Sequence, residues 1–231
     1  MISRIRIARI YKILFNQLLC ILTMAVSDWF RNHDWNAEIE GQFFSKLARS
    51  RTQRDQYLVI QALTIAKTCP NVTLQLVEHY FATKKGNFED IRALSARATA
   101  YITLGDLAHA VAAMKDVLAI ERERPQHKTT MYVDYPYLVA SNGLEPEYPS
   151  ALATLKERVG DLMFPLDSFK WHASFSIISL ALNELAIAKK HAGLALDAAQ
   201  IKKSGFRFHQ SLGLVGNDHQ ATVSKLHNIY A

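Results

Sequence analysis

Leu107, Ala110, Val111, Met114, Val117 and Leu118 recur at intervals of three and four, the spacing that gathers apolar side chains into one stripe of an α-helix. Ile91, Leu94, Ala98, Tyr101 and Ile102 show the same stripe just upstream. Gly105 and Asp106 stand between the two. Glycine accepts the left-handed conformation that closes a helix, and aspartate caps the free N–H groups of the next one. Two amphipathic helices joined this tightly must fold back on each other as an antiparallel hairpin.

The same grammar extends along the chain. Ile39, Phe43, Phe44 and Leu47 mark an early helix, and the spacing predicts a second over 53–68. Pro70 opens a third, carrying Leu74, Val77, Tyr80 and Phe81, because the missing proline N–H is harmless in a first turn. Ala151, Leu152, Leu155, Val159 and Leu162 form another stripe, stopped by Pro165. Trp171, Phe175, Ile178, Leu182 and Leu185 predict one long helix over 168–191, with Gly193 breaking the chain before a shorter helix over 194–203. The nearest approach to strand alternation is Met131 to Val139, which Pro136 interrupts, so the stretch from Pro125 to Tyr148 reads as a long irregular connection. The expected class is all-α.

Leu94 to Met114 resembles a tetratricopeptide repeat. Ala98 and Tyr101 hold the small and aromatic places of its first helix, Gly105-Asp106 its turn, and Ala110 and Met114 the places of its second helix. Leu94 stands where that family carries tryptophan, and the closing proline is displaced to Pro125. The segments beginning at Tyr148 and Leu194, the latter with Ala198 at the close-approach position, look like further second helices. The resemblance implies an α–α superhelix of four stacked, degenerate hairpins over 53–205. Residues 27–52 would cap it and 206–231 form a tail with a short helix, while Trp29 and Trp35 would cover the exposed apolar face of the end repeat.

Residues 1–26 differ from the rest. Arg4, Arg6, Arg9 and Lys12 precede an apolar run from Ile13 to Val26 that is shorter than the ~20 residues of a spanning helix. The stretch reads as a secretory signal, an interfacial anchor, or an extension upstream of a start at Met24. It also carries four of the six net positive charges, leaving the body at about +2, too little for a general polyanion field, so nucleic acid is not an expected partner. Membrane contact is expected only through residues 1–26. Cys20 and Cys69 make no disulfide framework, which points to a cytoplasmic setting, or to an exported or membrane-associated one if residues 1–26 are a signal or anchor. Asn71-Val72-Thr73 matches a glycosylation acceptor at a helix start, where coincidence is the simpler reading.

Two basic-aromatic clusters are the candidate binding residues. Arg122, Arg124, His127, Lys128, Tyr132, Tyr135 and Tyr137 would form a lip facing a partner, or a loop whose tyrosines cap the core. Lys202 and Lys203, with Arg207 and His209, would help bracket an anionic or carboxylate group, or simply solvate a helix end. His209, His219 and His227 match no zinc spacing, so no metal or cofactor is expected, and His172 reads as a hydrogen-bonded core histidine. No nucleophile elbow, phosphate loop or dinucleotide fingerprint names a reaction. The expected role is therefore a protein-interaction module that binds a peptide or partner protein on a concave face. The alternatives are an enzyme or small-anion receptor using residues 122–137 and 202–209, and a structural subunit of an assembly.

Overall fold

The computed structural model describes residues 28–231, and the readings of residues 1–26 lie outside them. Among the described residues there are ten α-helices and no strand: α1 (Ala37–Arg49), α2 (Arg54–Ile65), α3 (Pro70–Thr83), α4 (Asp90–Leu104), α5 (Leu107–Glu123), α6 (Met131–Ser141), α7 (Tyr148–Glu157), α8 (Pro165–Ala181), α9 (Leu185–Gln200) and α10 (Gln220–Tyr230). None is long and apolar enough to cross a membrane. The chain divides into two units, with the division within α5, between Ala113 and Met114.

In the first unit α1 packs on α2, and α2 on α3 and α4. The Asn36 side chain caps α1 by accepting the Ile39 N–H at 2.9 Å, while Glu38 and Glu40 in the first turn and Lys46 and Arg49 in the last complement the helix dipole. Phe43, Leu47, Leu58, Ile65, Val77 and Tyr80 are buried between the helices. Trp29 lies 5.4 Å from Phe43, and Phe30 stacks on Tyr57 at 4.3 Å. The buried Gln61 carboxamide accepts the Asn32 N–H at 2.9 Å and donates to its carbonyl at 2.8 Å, tying this aromatic segment down. Thr73 of the glycosylation tripeptide is fully buried, its hydroxyl donating to the Ala62 carbonyl at 3.0 Å.

The turn expected after α4 is present. Gly105 has φ +76°, its N–H reaches the Ile102 carbonyl at 3.1 Å, and the Asp106 N–H reaches that of Tyr101 at 2.9 Å. This is a Schellman turn, which returns the helix's last carbonyls to backbone donors. The Asp106 carboxylate then accepts the His109 N–H at 3.2 Å and starts α5.

Two more turns of this kind shape the second unit. Gly143 has φ +66° with Leu144 N–H on the Val139 carbonyl at 3.0 Å, and Asn183 has φ +63° with Glu184 N–H on the Ser179 carbonyl at 2.8 Å. The Asn183 turn corrects the single helix expected over 168–191. Asparagine tolerates the left-handed region, so the chain reverses there without a glycine. Gly193, expected to break the chain, lies inside α9. A Cβ added to it would sit 2.9 Å from the Tyr230 ring, so its smallness serves packing against α10. Small buried residues also let α8 and α9 meet closely. Ser176, Ala188, Ala192 and Ala195 are all buried, and the Ser176 hydroxyl donates to the Ala188 carbonyl across the pair at 2.9 Å.

The connection expected around Pro136 is corrected as well, because residues 131–141 form α6. Proline removes one backbone bond, yet Val133, Tyr135, Val139 and Ala140 are fully buried, and that burial outweighs the lost bond. The stripe expected to continue to Leu162 ends at Glu157, and Pro165 opens α8 rather than merely stopping its predecessor. Neighbouring helices pack in pairs within the units, α2 with α3, α6 with α7 and α8 with α9, an arrangement compatible with a helical-repeat fold.

Because Gly105 sits at positive φ, Gly105→Val should destabilise the protein by ~1–2 kcal/mol through the left-handed penalty on a branched side chain. Chemical denaturation measures this, and an unchanged midpoint would mean the turn does not carry the reversal.

Candidate functional site

The end of the α8–α9 pair carries apolar residues that the described structure covers only in part. Every residue from Leu180 to Ile187 is exposed, with Leu180 at 38%, Leu182 at 49%, Leu185 at 53% and Ile187 at 42%. The Asn183 turn holds them in place. The Ser179 hydroxyl donates to the Glu184 carboxylate at 3.2 Å while its carbonyl accepts the Glu184 N–H. Beside the turn is a cavity of about 420 Å³ lined by Tyr148, Pro149 and Leu152 of α7, Ala181 and Leu182, with Glu145 at its polar edge. Scattered exposed leucines are ordinary, but a ridge with six apolar residues in eight, all exposed and beside an apolar cavity, has the composition of a binding surface.

The sequence-predicted residues are distributed differently from expectation. Tyr132 and Tyr135 are buried in α6, and the Tyr135 hydroxyl donates to the Glu147 carboxylate at 2.8 Å. Tyr137 is half-buried, its hydroxyl 2.9 Å from His219 Nδ1 and 2.8 Å from Thr222 Oγ1. None of the three stands on an open lip. Arg122 is exposed and grips Glu157 with both Nε and a terminal nitrogen at 3.0–3.2 Å. Arg124 and His127 are half-buried and Lys128 is exposed, on the connection from α5 to α6. Arg207 and His209 are exposed on the segment between α9 and α10, where the Arg207 guanidinium covers the Phe208 ring at 5.2 Å. Leu94, Ala98, Ala110 and Met114 are buried, and Tyr101 stacks on His109 at 5.0 Å.

Glu121 went unmarked in the sequence. It is fully buried, and its carboxylate accepts both the Thr129 N–H, at 2.8 Å, and the Thr129 hydroxyl. Arg158 approaches its other oxygen at 3.7 Å. Burial pushes this carboxyl above its ordinary range, while the Thr129 bonds and the arginines pull the other way. Its place in the Glu121-Arg122-Glu123-Arg124 run, which resembles a solvated helix face, hid it.

The polar residues around Tyr137 are matched to one another. The Lys170 ammonium donates to Asp134 at 2.6 Å, and His219 lies 3.5 Å from Asp218. Burial drives the Tyr137 phenol up and the His219 imidazole down, so both are neutral near pH 7. A neutral phenol on a neutral imidazole is no activated nucleophile. The arrangement ties the turn before α10 to α6.

On α8 and α9, His172 Nδ1 and His191 Nδ1 face each other at 2.9 Å, one ring donating and the other accepting. Trp171 lies against both rings and Phe175 stacks on His191 at 4.9 Å. Burial, then His191 and Lys190, lower His172 to about 4, and burial and Lys190 lower His191. No group of three or more metal-ligating side chains occurs among the described residues.

No protein-family model, curated protein or solved structure matches the chain.

Because both histidines titrate below their ordinary value, the unfolded chain binds more protons than the folded one in weak acid. Stability should therefore be complete above the ordinary histidine value of 6.5 and fall as the pH drops toward 4. Calorimetry should show a Tm that declines over this window, and a shallower decline in His172→Gln. Equal slopes for the two proteins would assign the acid sensitivity to other groups.

Proposed function

We propose that this chain is a degenerate helical-repeat module of the tetratricopeptide kind, and that it binds a partner protein through the apolar ridge at the α8–α9 turn. The observation that carries the reading is the run of exposed residues from Leu180 to Ile187 beside the cavity between α7 and α8. Leaving this much apolar surface in water is unfavourable at about 25 cal/mol per Å², so its cover by a partner would be strongly favourable. The Gly105-Asp106 turn, with buried Leu94, Ala98, Ala110 and Met114 around it, supports the repeat kinship.

The surface suits a partner segment with apolar anchors and a cation. Tyr148, Pro149, Leu152 and Leu182 take the anchors, and Glu145 and Glu184 at the edges select a lysine or arginine over an acid. This differs from the sequence expectation, which placed binding on Arg122 to Tyr137 together with Arg207 and His209. Tyr132 and Tyr135 are occupied in the core, Tyr137 with His219 and Thr222, and Arg122 with Glu157. The ridge needs no reacting group, in keeping with a binding role rather than a catalytic one.

The test is an array of short helical peptides carrying leucines at i and i+4, with either lysines or glutamates on the flanks. The lysine set should be retained and the glutamate set should not. Leu182→Glu combined with Leu185→Glu should abolish retention while the far-ultraviolet circular dichroism stays unchanged. Retention of neither set, or retention unaffected by the double substitution, would overturn the assignment.

A further inference from the structure

From Ala198 to Asn217 the chain carries Lys202, Lys203 and Arg207 and no acidic residue. The same stretch holds Ile201, Phe206, Phe208 and Leu212, which are exposed by 42%, 40%, 82% and 50%. An almost fully exposed phenylalanine beside lysines and an arginine is unfavourable for a surface that meets only water.

The segment is not a loose tail. Ser204 is buried and acts as its clasp: its N–H donates to the Gln210 carbonyl at 2.7 Å and its hydroxyl to the His209 carbonyl at 2.6 Å. The His209 N–H returns to the Phe206 carbonyl at 3.2 Å, closing a compact loop whose tip is Arg207-Phe208. Phe206 stacks on Phe164 at 5.4 Å, and the Gly213 carbonyl accepts the Leu166 N–H at 2.8 Å, so the loop is fastened to the start of α8. Gly213 has φ +68°, and a Cβ there would lie 2.4 Å from the Phe164 ring, so the fastening requires glycine.

We propose that this loop docks the protein on an anionic lipid bilayer, with Phe208 entering the acyl boundary and Lys202, Lys203 and Arg207 on the headgroups. Charge complementarity selects this occupant. A cationic rim around an apolar tip matches a negatively charged interface with hydrocarbon beneath it. A nucleic acid would need free aromatic faces for stacking. Here Phe206 is already stacked on Phe164 and Ile201 and Leu212 have no ring to offer, so Phe208 alone presents an open ring, too few for a strand of stacked bases. The surface is distinct from the ridge at the α8–α9 turn and does not depend on partner binding there.

The full chain is tested by co-sedimentation with vesicles of phosphatidylcholine alone and of equal parts phosphatidylcholine and phosphatidylglycerol. Binding should be confined to the mixed vesicles and weaken as salt is raised. Lys202→Glu with Lys203→Glu and Arg207→Glu should lower the partition coefficient roughly a hundredfold, since each cation near such a surface is worth several-fold. Phe208→Ser should lower it about tenfold and leave the melting temperature unchanged, because a side chain this exposed has little packing to lose. Equal binding to both vesicle types, or binding untouched by either variant, would overturn the proposal, the latter assigning attachment to the basic segment at residues 4–12. Capture by a single-stranded oligonucleotide while the mixed vesicles leave the protein in solution would overturn it too.

Discussion

A helix ending in water can leave its last carbonyls to the solvent, but one that must reverse at once has to satisfy them within its own turn. Gly105, Gly143 and Asn183 do this with the same pair of backbone bonds and the same positive φ. Each turn lets the next segment begin within a few residues. Much of the rest follows from the pairing of helices they permit. Small residues line α8 and α9 because the Asn183 turn brings the two helices into close approach, and Ser176 can therefore reach a carbonyl of the opposite helix. Tight reversals also decide what remains outside. Side chains at a turn lie beyond the end of the pair, so apolar residues there are left without a neighbouring helix to cover them.

The sequence displays these turns unevenly. Gly105 was legible because glycine stands between two apolar stripes and aspartate follows it. Asn183 was not, because asparagine has many uses and Ile178, Leu182 and Leu185 continue a helical spacing straight across the turn. Periodicity records which residues are apolar and on which side they fall, without recording where the axis turns back. Gly193 misled for the opposite reason, since helix packing needs small residues as much as reversals do. Pro136 hid α6 because local propensity was weighed without the burial that overrides it.

The candidate site was harder to read than the fold. Tyrosines beside arginines suggest recognition, yet Tyr132 and Tyr135 are core residues, and the hydroxyls of Tyr135 and Tyr137 find polar partners in Glu147, His219 and Thr222. Leu182 and Leu185 fall on the apolar stripe of the helix expected over 168–191, when their exposure is what marks a surface. The cluster at 202–209 was visible by composition, but its order was not. That order depends on the buried Ser204 clasp and on Gly213 accepting Phe164, contacts made across turns and across some fifty positions of chain.

Both surfaces belong to α8, and its rigidity relates them. The basic loop is fastened at Phe164 and Leu166, and the apolar ridge starts at Leu180. The seventeen residues of α8 rise 1.5 Å each, roughly 25 Å from end to end, so the two surfaces lie a helix length apart. Occupants of that size need not exclude each other. Their chemistries also oppose, with Glu145 and Glu184 at one end and Lys202, Lys203 and Arg207 at the other. A cation-bearing partner segment is drawn to the first and repelled from the second, while an anionic bilayer is treated in the opposite way. The His172–His191 pair sits between these ends, where α8 meets α9. The helix that would bear both occupants is thus joined to α9 near its middle by two imidazoles that burial keeps neutral near pH 7.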